Sequence, residues 1–278
     1  MVTSLHISPM TDSKNTALLV LSCDKYSDIW QPFFDFFFKY WSDCPYPIYL
    51  GSNEKTFAHE KVTTLLSGAE RDWSTDTLAI LHQIKEKNII ILLEDYFVYA
   101  NPDKKLLEKS INLLDEHNAV FLRLACFPSD HFQDYAYDFM KNEPDFVITR
   151  KEARYRVNLQ AGIWNREKLI KLIVPGESPW AFETQGTQRS RETDETYLGM
   201  KETKGVRHVH GPIPYLCTAL SRGVWMRDAI ELCEQHGIKL NTGNRNIETP
   251  GEYQKRKMYH RMPYGFRKYW DYIASKLK

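Results

Sequence analysis

Asn88-Ile-Ile-Ile-Leu-Leu93-Glu94-Asp95-Tyr96 is the stretch that decides the fold. The apolar residues from Ile89 to Leu93 follow one another without polar alternation, as in a strand covered on both faces. Glu94 and Asp95 then end the run abruptly. In an open α/β sheet, ligands bind at the carboxyl ends of the strands. A charged pair there is where a site places carboxylates for a metal ion, a ribose or a sugar hydroxyl. The competing reading is a cap on the next segment, or an ion pair at the surface.

Outward from this strand, the first half alternates strands and helices. Ala17-Leu-Leu-Val-Leu-Ser22 reads as a buried strand. Ile29 to Trp41 suits a helix if Pro32 lies in its first turn. Pro47 to Leu50 is a second strand, stopped by Gly51-Ser52-Asn53, and Val62 to Leu66 a third. Ser74 is expected to cap a helix in which Leu78, Leu81, Ile80 and Ile84 fall at helical spacing. Pro102 and Asp103 open another helix through Leu114, and Ala119 to Leu124 is a strand.

The second half is less regular. It gives a strand from Val157 to Trp164, a helix from Arg166 to Ile173 and a turn-rich loop from Pro175 to Pro179. A strand from Val206 to Val209 and a helix from Asp228 to His236, ended by Gly237, complete it. The expected fold class is α/β, with a mixed, mainly parallel sheet flanked by helices. Residues 1–250 are expected to form one domain and residues 251–278 a helical tail.

Composition narrows the function. The net charge of +1 disfavours a dedicated nucleic-acid binder. The five cysteines, Cys23, Cys44, Cys126, Cys217 and Cys233, form no CxxC pair, so reduced thiols of a cytoplasmic protein are expected. Residues 1–15 carry no basic region followed by an apolar core, so no signal peptide is expected. There is no GxxxxGK[ST], no GxGxxG after the first strand and no GxSxG.

Strand, turn, helix and strand from Ala17 to Asn53, a further helix, and then Leu92-Leu93-Glu94-Asp95-Tyr96 resemble the nucleotide-binding half of a GT-A nucleotide-sugar glycosyltransferase. In that family an acidic motif, often written DxD, holds a divalent cation against the donor diphosphate. The resemblance implies Mg²⁺ or Mn²⁺ at Asp95, with Glu94 beside it. Here Tyr96 stands where the second acid of DxD is expected, so action without metal is the alternative. The loop Ser22-Cys23-Asp24-Lys25-Tyr26 is implied to contact the nucleotide through Ser22, Asp24 and Tyr26; a capped turn is the alternative. Trp73 either lines the donor pocket or is a structural core residue. A late His, best placed at His210 after His208, is implied as a second metal ligand; a hydrogen-bonded structural His is the alternative. Arg222 either binds a diphosphate or lies on the surface.

Asn158-Leu-Gln160-Ala-Gly162-Ile-Trp164, followed by Pro175 to Glu183, resembles the acceptor-side half of bacterial GT-A enzymes of surface-polysaccharide assembly, the lipopolysaccharide and capsule transferases among them. Gly162 lets a sugar or backbone approach closely. Gln160 offers a donor and an acceptor to a hydroxyl. Inverting transfer needs a base, and Glu183 is the leading candidate, beside Trp180 and Phe182 as an apolar wall. In the competing reading Trp180 and Phe182 are core anchors. Asp194 and Glu195 are the second choice of base.

The resemblance implies a transferase that moves a sugar from a nucleotide-sugar donor to a glycan or lipid-linked glycan acceptor. A non-catalytic carbohydrate- or nucleotide-binding protein of the same fold is the alternative. A sugar-nucleotide nucleotidyltransferase is disfavoured, because no Gly-rich basic signature opens the chain. From Lys255 to Lys278 the chain interleaves basic and aromatic residues, and Tyr269, Ile273 and Leu277 fall on one helical face. That stripe either packs on the domain or rests on anionic lipid at the inner face of a membrane.

Overall fold

The computed structural model describes residues 15–127, 136–201, 211–243 and 245–261. Its first strand, β1 (Thr16–Leu21), is buried at every position and leads into a 3-10 turn over Asp24–Ile29. Helix α1 (Trp30–Tyr40) follows, with Pro32 in its first turn, where the missing N–H has no helical partner to lose. Strands β2 (Ile48–Ser52) and β3 (Val62–Leu66) come next, then α2 (Trp73–Leu81), β4 (Asn88–Leu93) and α3 (Lys104–Glu116). Strand β5 (Phe121–Phe127) is followed by a short hairpin, β6 (Tyr137–Phe139) and β7 (Phe146–Thr149). Strand β8 (Gly162–Asn165), helices α4 (Arg166–Leu172) and α5 (Pro179–Arg191) and strand β9 (Tyr197–Lys201) complete the main sheet. The two-stranded ribbon β10 (Leu220–Ser221) and β11 (Val224–Trp225), then α6 (Arg227–His236) and α7 (Pro250–Arg261), close the described chain.

The strand order is β3-β2-β1-β4-β8-β5-β9-β7-β6. Strands β3, β2, β1 and β4 are parallel, and β5 and β9 are parallel to each other. Strand β8 runs antiparallel to both of its neighbours, β4 and β5. The sheet is thus mixed and mainly parallel, as the apolar strands require. Alternate residues of each strand enter two cores. Leu18, Val20, Ile90 and Leu92 join the core under α1, α3 and α6. Ala17, Leu19, Ile89 and Ile91 join the core under α2, α4 and α5. Phe33, Phe34, Phe36 and Phe37 of α1 are all buried in the first core. Each such phenyl group contributes about 1.5–3 kcal/mol by leaving water.

Several boundaries differ from expectation. Asp72, not Ser74, caps α2: its carboxylate accepts from the Thr75 amide at 2.8 Å and from Ser74 Oγ at 2.7 Å. A carboxylate there also meets the partial positive charge of the helix start. The strand expected from Val157 shrinks to Gly162–Asn165, because Val157 to Ala161 run along α5 and across the sheet edge. Strands β6, β7 and β9 were not expected; β6 and β7, of three and four residues, are too short to stand out in a sequence. Gly237 ends α6 in the left-handed region, at φ +65°, as expected. The segment 206–209 lies outside the described residues. Among the described residues no helix is long and apolar enough to cross a membrane. Cys23, Cys44, Cys217 and Cys233 are free thiols.

Gly162 has a structural cause. A Cβ built there meets Phe121 Cε2 at 2.2 Å and the Leu122 carbonyl oxygen at 3.1 Å. The Phe121 ring lies over this position and stacks on Trp164 at 4.0 Å. The absent side chain makes room for a core ring, not for a sugar. Gly162→Ala is expected to destabilise the chain by about 1–3 kcal/mol, read as a lower urea midpoint. An unchanged midpoint would mean that Phe121 moves aside without cost.

Candidate functional site

The carboxyl ends of β1 and β4 and the amino end of the reversed β8 lie on one edge of the sheet. At the β1 end, Trp30 Nε1 donates to Ser22 Oγ at 2.8 Å, tying Ser22 to α1. Asp24 turns towards the loop after β2. Its carboxylate accepts from Ser52 Oγ at 2.6 Å and from the amides of Asn53, Glu54 and Lys55 at 3.0–3.2 Å. Burial works to raise this group; the Ser52 hydroxyl and the three amides outweigh it and hold the carboxyl below the usual range. Asp24 therefore folds the loop after β2, and its carboxylate is already surrounded by donors. Tyr26 is half-buried. Its phenol lies close enough to Glu94, Cys23 and Asp95 for their charges to act on it, and burial pushes it up first.

At the β4 end, burial and then the neighbouring Asp95 push the Glu94 carboxyl up to about 8. Burial also pushes Asp95 up, against hydrogen bonds from Thr218 Oγ1 at 2.7 Å and the Leu220 amide at 3.5 Å. The Ala219 amide donates to the Asp95 carbonyl at 2.9 Å. Two adjacent carboxyls thus sit under protein yet keep part of their surface open.

Tyr96 turns inward. Its hydroxyl donates to the Leu159 carbonyl at 3.2 Å, and its ring stacks on Tyr215 at 4.6 Å. The Tyr215 hydroxyl donates to Gln160 Oε1 at 2.9 Å and accepts from the Ala161 amide at 3.3 Å. Cys217 Sγ lies 3.7 Å from the same Gln160 oxygen. Glu183, in the first turns of α5, accepts from the Leu159 amide at 2.8 Å. Burial raises its carboxyl, and the Leu159 amide and the Arg123 charge oppose that in part. Burial raises the Tyr96 phenol first, and the charges of Asp95 and Glu183 act in the same direction.

The aromatic residues divide. Phe182 is fully buried and packs on Trp73 at 5.2 Å and Trp164 at 6.2 Å, so it anchors the core. Trp73 is half-buried by the same contact and belongs to that core's rim. Trp180, three residues before Glu183, is 73% exposed. Arg222 lies in the exposed turn between β10 and β11. Asp194 and Glu195 precede β9, at the opposite edge of the sheet, where they pair with Lys151 and Lys168. That position removes them as a base for this site. A cavity of about 350 Å³ at that far edge is lined by charged pairs such as Arg150–Asp138. His208 and His210 lie outside the described residues.

Tyr215, Thr218, Asp28 and Arg245 were missed. All but Asp28 come from the irregular C-terminal half, and their partners are distant in sequence; Arg245 reaches Asp28 across 217 positions. No local pattern marks such pairs.

Glu94 and Asp95 offer carboxylate oxygens, the hard ligands that suit a divalent cation. They do not make an all-protein cage. Among the described residues no group of three His, Cys, Asp or Glu side chains converges, and Tyr96 is turned away.

No family model matches the chain, and no curated protein matches it. Among solved structures it is similar to S. aureus TarS 1-349, at 14% identity and TM-score 0.45, over 74% of this chain and 60% of that one. The same similarity covers only 38% of the longer TarS chain. It is also similar to UTP-bound UGPase from Acinetobacter baumannii, at 11% identity and TM-score 0.48, over 88% and 97%. CMP:2-keto-3-deoxy-manno-octonic acid synthetase complexed with CTP follows at 10% identity and TM-score 0.43, over 68% and 90%. At such distances, function rests on this chain's own strand ends.

The raised Glu94 carboxyl fixes a pH dependence. Between the ordinary value of 4.5 and about 8, the folded chain keeps a proton that the unfolded chain has lost. Stability therefore falls as pH rises through that window. Glu94→Gln has no such proton. It is expected to add nothing at pH 4 and about 1–3 kcal/mol at pH 8. Urea midpoints at pH 4, 6 and 8 measure this, and an equal gain at all three would remove the assigned cause.

Proposed function

We propose that the chain is a GT-A-type glycosyltransferase that moves a sugar from a nucleotide-sugar donor to a glycan hydroxyl, with inversion, in bacterial surface-glycan assembly. The observation that carries this reading is the link between two separate carboxyl groups at one sheet edge: Asp95 precedes Tyr96, whose hydroxyl donates to the Leu159 carbonyl, and the Leu159 amide donates to Glu183. One belongs to the donor and the other to the acceptor.

In this reading Tyr26 and Ser22 border the nucleotide, and Glu94 and Asp95 lie at its diphosphate. Mg²⁺ or Mn²⁺ held by those two carboxylates would neutralise the charge of the leaving diphosphate; a route without metal is the alternative. Glu183 takes the proton of the acceptor hydroxyl as that oxygen attacks the anomeric carbon, and the bond to the diphosphate breaks. A carboxyl raised by burial is a stronger base than an exposed one. The Gln160 carbonyl accepts from Tyr215 and its amide nitrogen donates to Tyr96 Oη at 3.5 Å, so the second N–H of that nitrogen is the donor left to meet a sugar hydroxyl. The exposed Trp180 ring offers a face to a pyranose.

The test is a panel of nucleotide sugars, first by thermal shift and then by donor hydrolysis and transfer. Binding without turnover would favour a non-catalytic binding protein. Pyrophosphate release from a nucleoside triphosphate and a sugar 1-phosphate would favour a nucleotidyltransferase. Glu183→Gln is expected to cut transfer about 10²–10⁴-fold with donor binding intact, and Asp95→Asn to abolish transfer in a folded chain. Full activity in Asp95→Asn, or a product that retains the donor's anomeric configuration, would overturn the corresponding role. A chelator reads the metal question separately.

The acceptor reading extends to a lipid-linked glycan. Helix α7 docks through Tyr253 Oη to Glu231 at 2.9 Å, and Arg256 pairs with Glu248 and Asp228. Lys255 and Met258 remain exposed, ahead of the basic, aromatic sequence that ends the chain. The full chain is expected to sediment with anionic vesicles at low salt, and a chain ending before Lys255 to stay behind. Equal behaviour of the two would end the membrane reading.

A further inference from the structure

The segment 211–248 touches the site edge at two places. Thr218, Ala219 and Leu220 hold Asp95, and Arg245 reaches the turn after β1. A small backbone ladder joins these contacts. Met226 N donates to the Ala219 carbonyl at 2.9 Å, Trp225 N to the Asn246 carbonyl at 2.9 Å, and Glu248 N to the Trp225 carbonyl at 2.9 Å. The buried Trp225 indole also donates to the Thr242 carbonyl at 3.2 Å. Arg245 therefore stands on a frame registered to Asp95.

Its guanidinium grips the turn by a fork. Nε donates to Asp28 Oδ2 at 2.6 Å, Nη2 to Asp28 Oδ1 at 2.8 Å and Nη2 also to the Lys25 carbonyl at 2.6 Å. The same group lies over the Tyr26 ring, 4.9 Å from its centroid. The Arg245 side chain is 18% exposed and that of Asp28 37%, so the pair lies at the surface with the cation the better covered of the two. A charge-assisted fork with a ring beneath it has direction, which a single ammonium lacks. The cation thus covers one face of Tyr26, the ring also packs against the first core, and the half-buried residue is fixed beside Glu94 at the β1 end.

We propose that Arg245 is a positioning residue for a nucleoside diphosphate: it fixes Tyr26 and the turn after β1 so that the exposed part of the ring meets the base. This rests on the donor site proposed above. Stacking of a base on an aromatic ring is tolerant of base identity. A preset ring binds more tightly than one that must be ordered by its ligand. Arg245 acts through Tyr26, so its contribution exists only while Tyr26 is present.

Calorimetric titration of the full chain with uridine, cytidine, guanosine and adenosine diphosphates selects the tightest binder, which then probes the variants. Arg245→Ala is expected to weaken that binding about tenfold. In a Tyr26→Ala background the same change is expected to add nothing. Arg245→Lys keeps the charge but not the fork, and it is expected to weaken binding in the same direction should the alanine variant fail to fold. Binding within twofold of the unaltered chain in Arg245→Ala or Arg245→Lys would overturn the proposal. So would an undiminished Arg245 effect without Tyr26. If the unaltered chain binds none of the four diphosphates, the donor site itself falls. If it binds and only the Arg245 results fail, the donor site stands and this inference alone is lost.

Discussion

Reversed pairing of β8 between β4 and β5 is the contact on which the rest of the molecule depends. Ile91 faces Gly162 on one side, and Gly162 faces Arg123 on the other. The ladder is continuous only because Gly162 leaves room for the Phe121 ring. Reversal sends residues 158–161 to the edge where the parallel strands end. A strand in the usual direction would have placed Gln160 at the far edge, among Asp194, Glu195 and their lysine partners. The inserted strand therefore decides which polar groups Asp95 and Tyr96 meet.

Those meetings leave few polar groups without a task. The Leu159 peptide is held from both sides, its carbonyl by Tyr96 and its amide by Glu183. Gln160 is oriented by Tyr215, which is itself stacked on Tyr96. Low polarity around such a chain strengthens each hydrogen bond and makes a missing partner costly. Rigidity here has the same origin as the raised carboxyls: Glu94, Asp95 and Glu183 are each partly covered by neighbouring protein.

Strands β1 and β4 were legible because both bury their two faces and so carry an unbroken apolar signal, whereas β2 and β3 were marked by short apolar runs beside turn residues. Their order made the mixed, mainly parallel sheet legible as well. Short strands such as β7, four residues long, carry too little pattern to separate from loops. Of the candidate site, Glu94 and Asp95 stand out in the sequence because a strand end can be read locally, whereas Gln160 and Glu183 stand out through a resemblance. Asp24 left two readings open, since a polar residue after a strand looks the same whether it meets a ligand or folds a neighbouring loop; its carboxylate folds the loop after β2. Trp180 and Phe182 could not be told apart, since which face of α5 is covered depends on the sheet beneath it. Arg245 carried no signal at all.

The reach of Arg245 to Asp28 also has a consequence for synthesis. A ribosome releases β1 to β4 long before residue 245 emerges. Early strands can pair as they leave the tunnel, whereas the turn over Asp24–Ile29 must wait for its last contact. A nascent chain interrupted anywhere between α5 and Arg245 would own a sheet and both carboxyl groups, yet lack the brace on its first loop. Completion of translation, rather than collapse of the core, would then be the moment at which the nucleotide end of the cleft becomes finished.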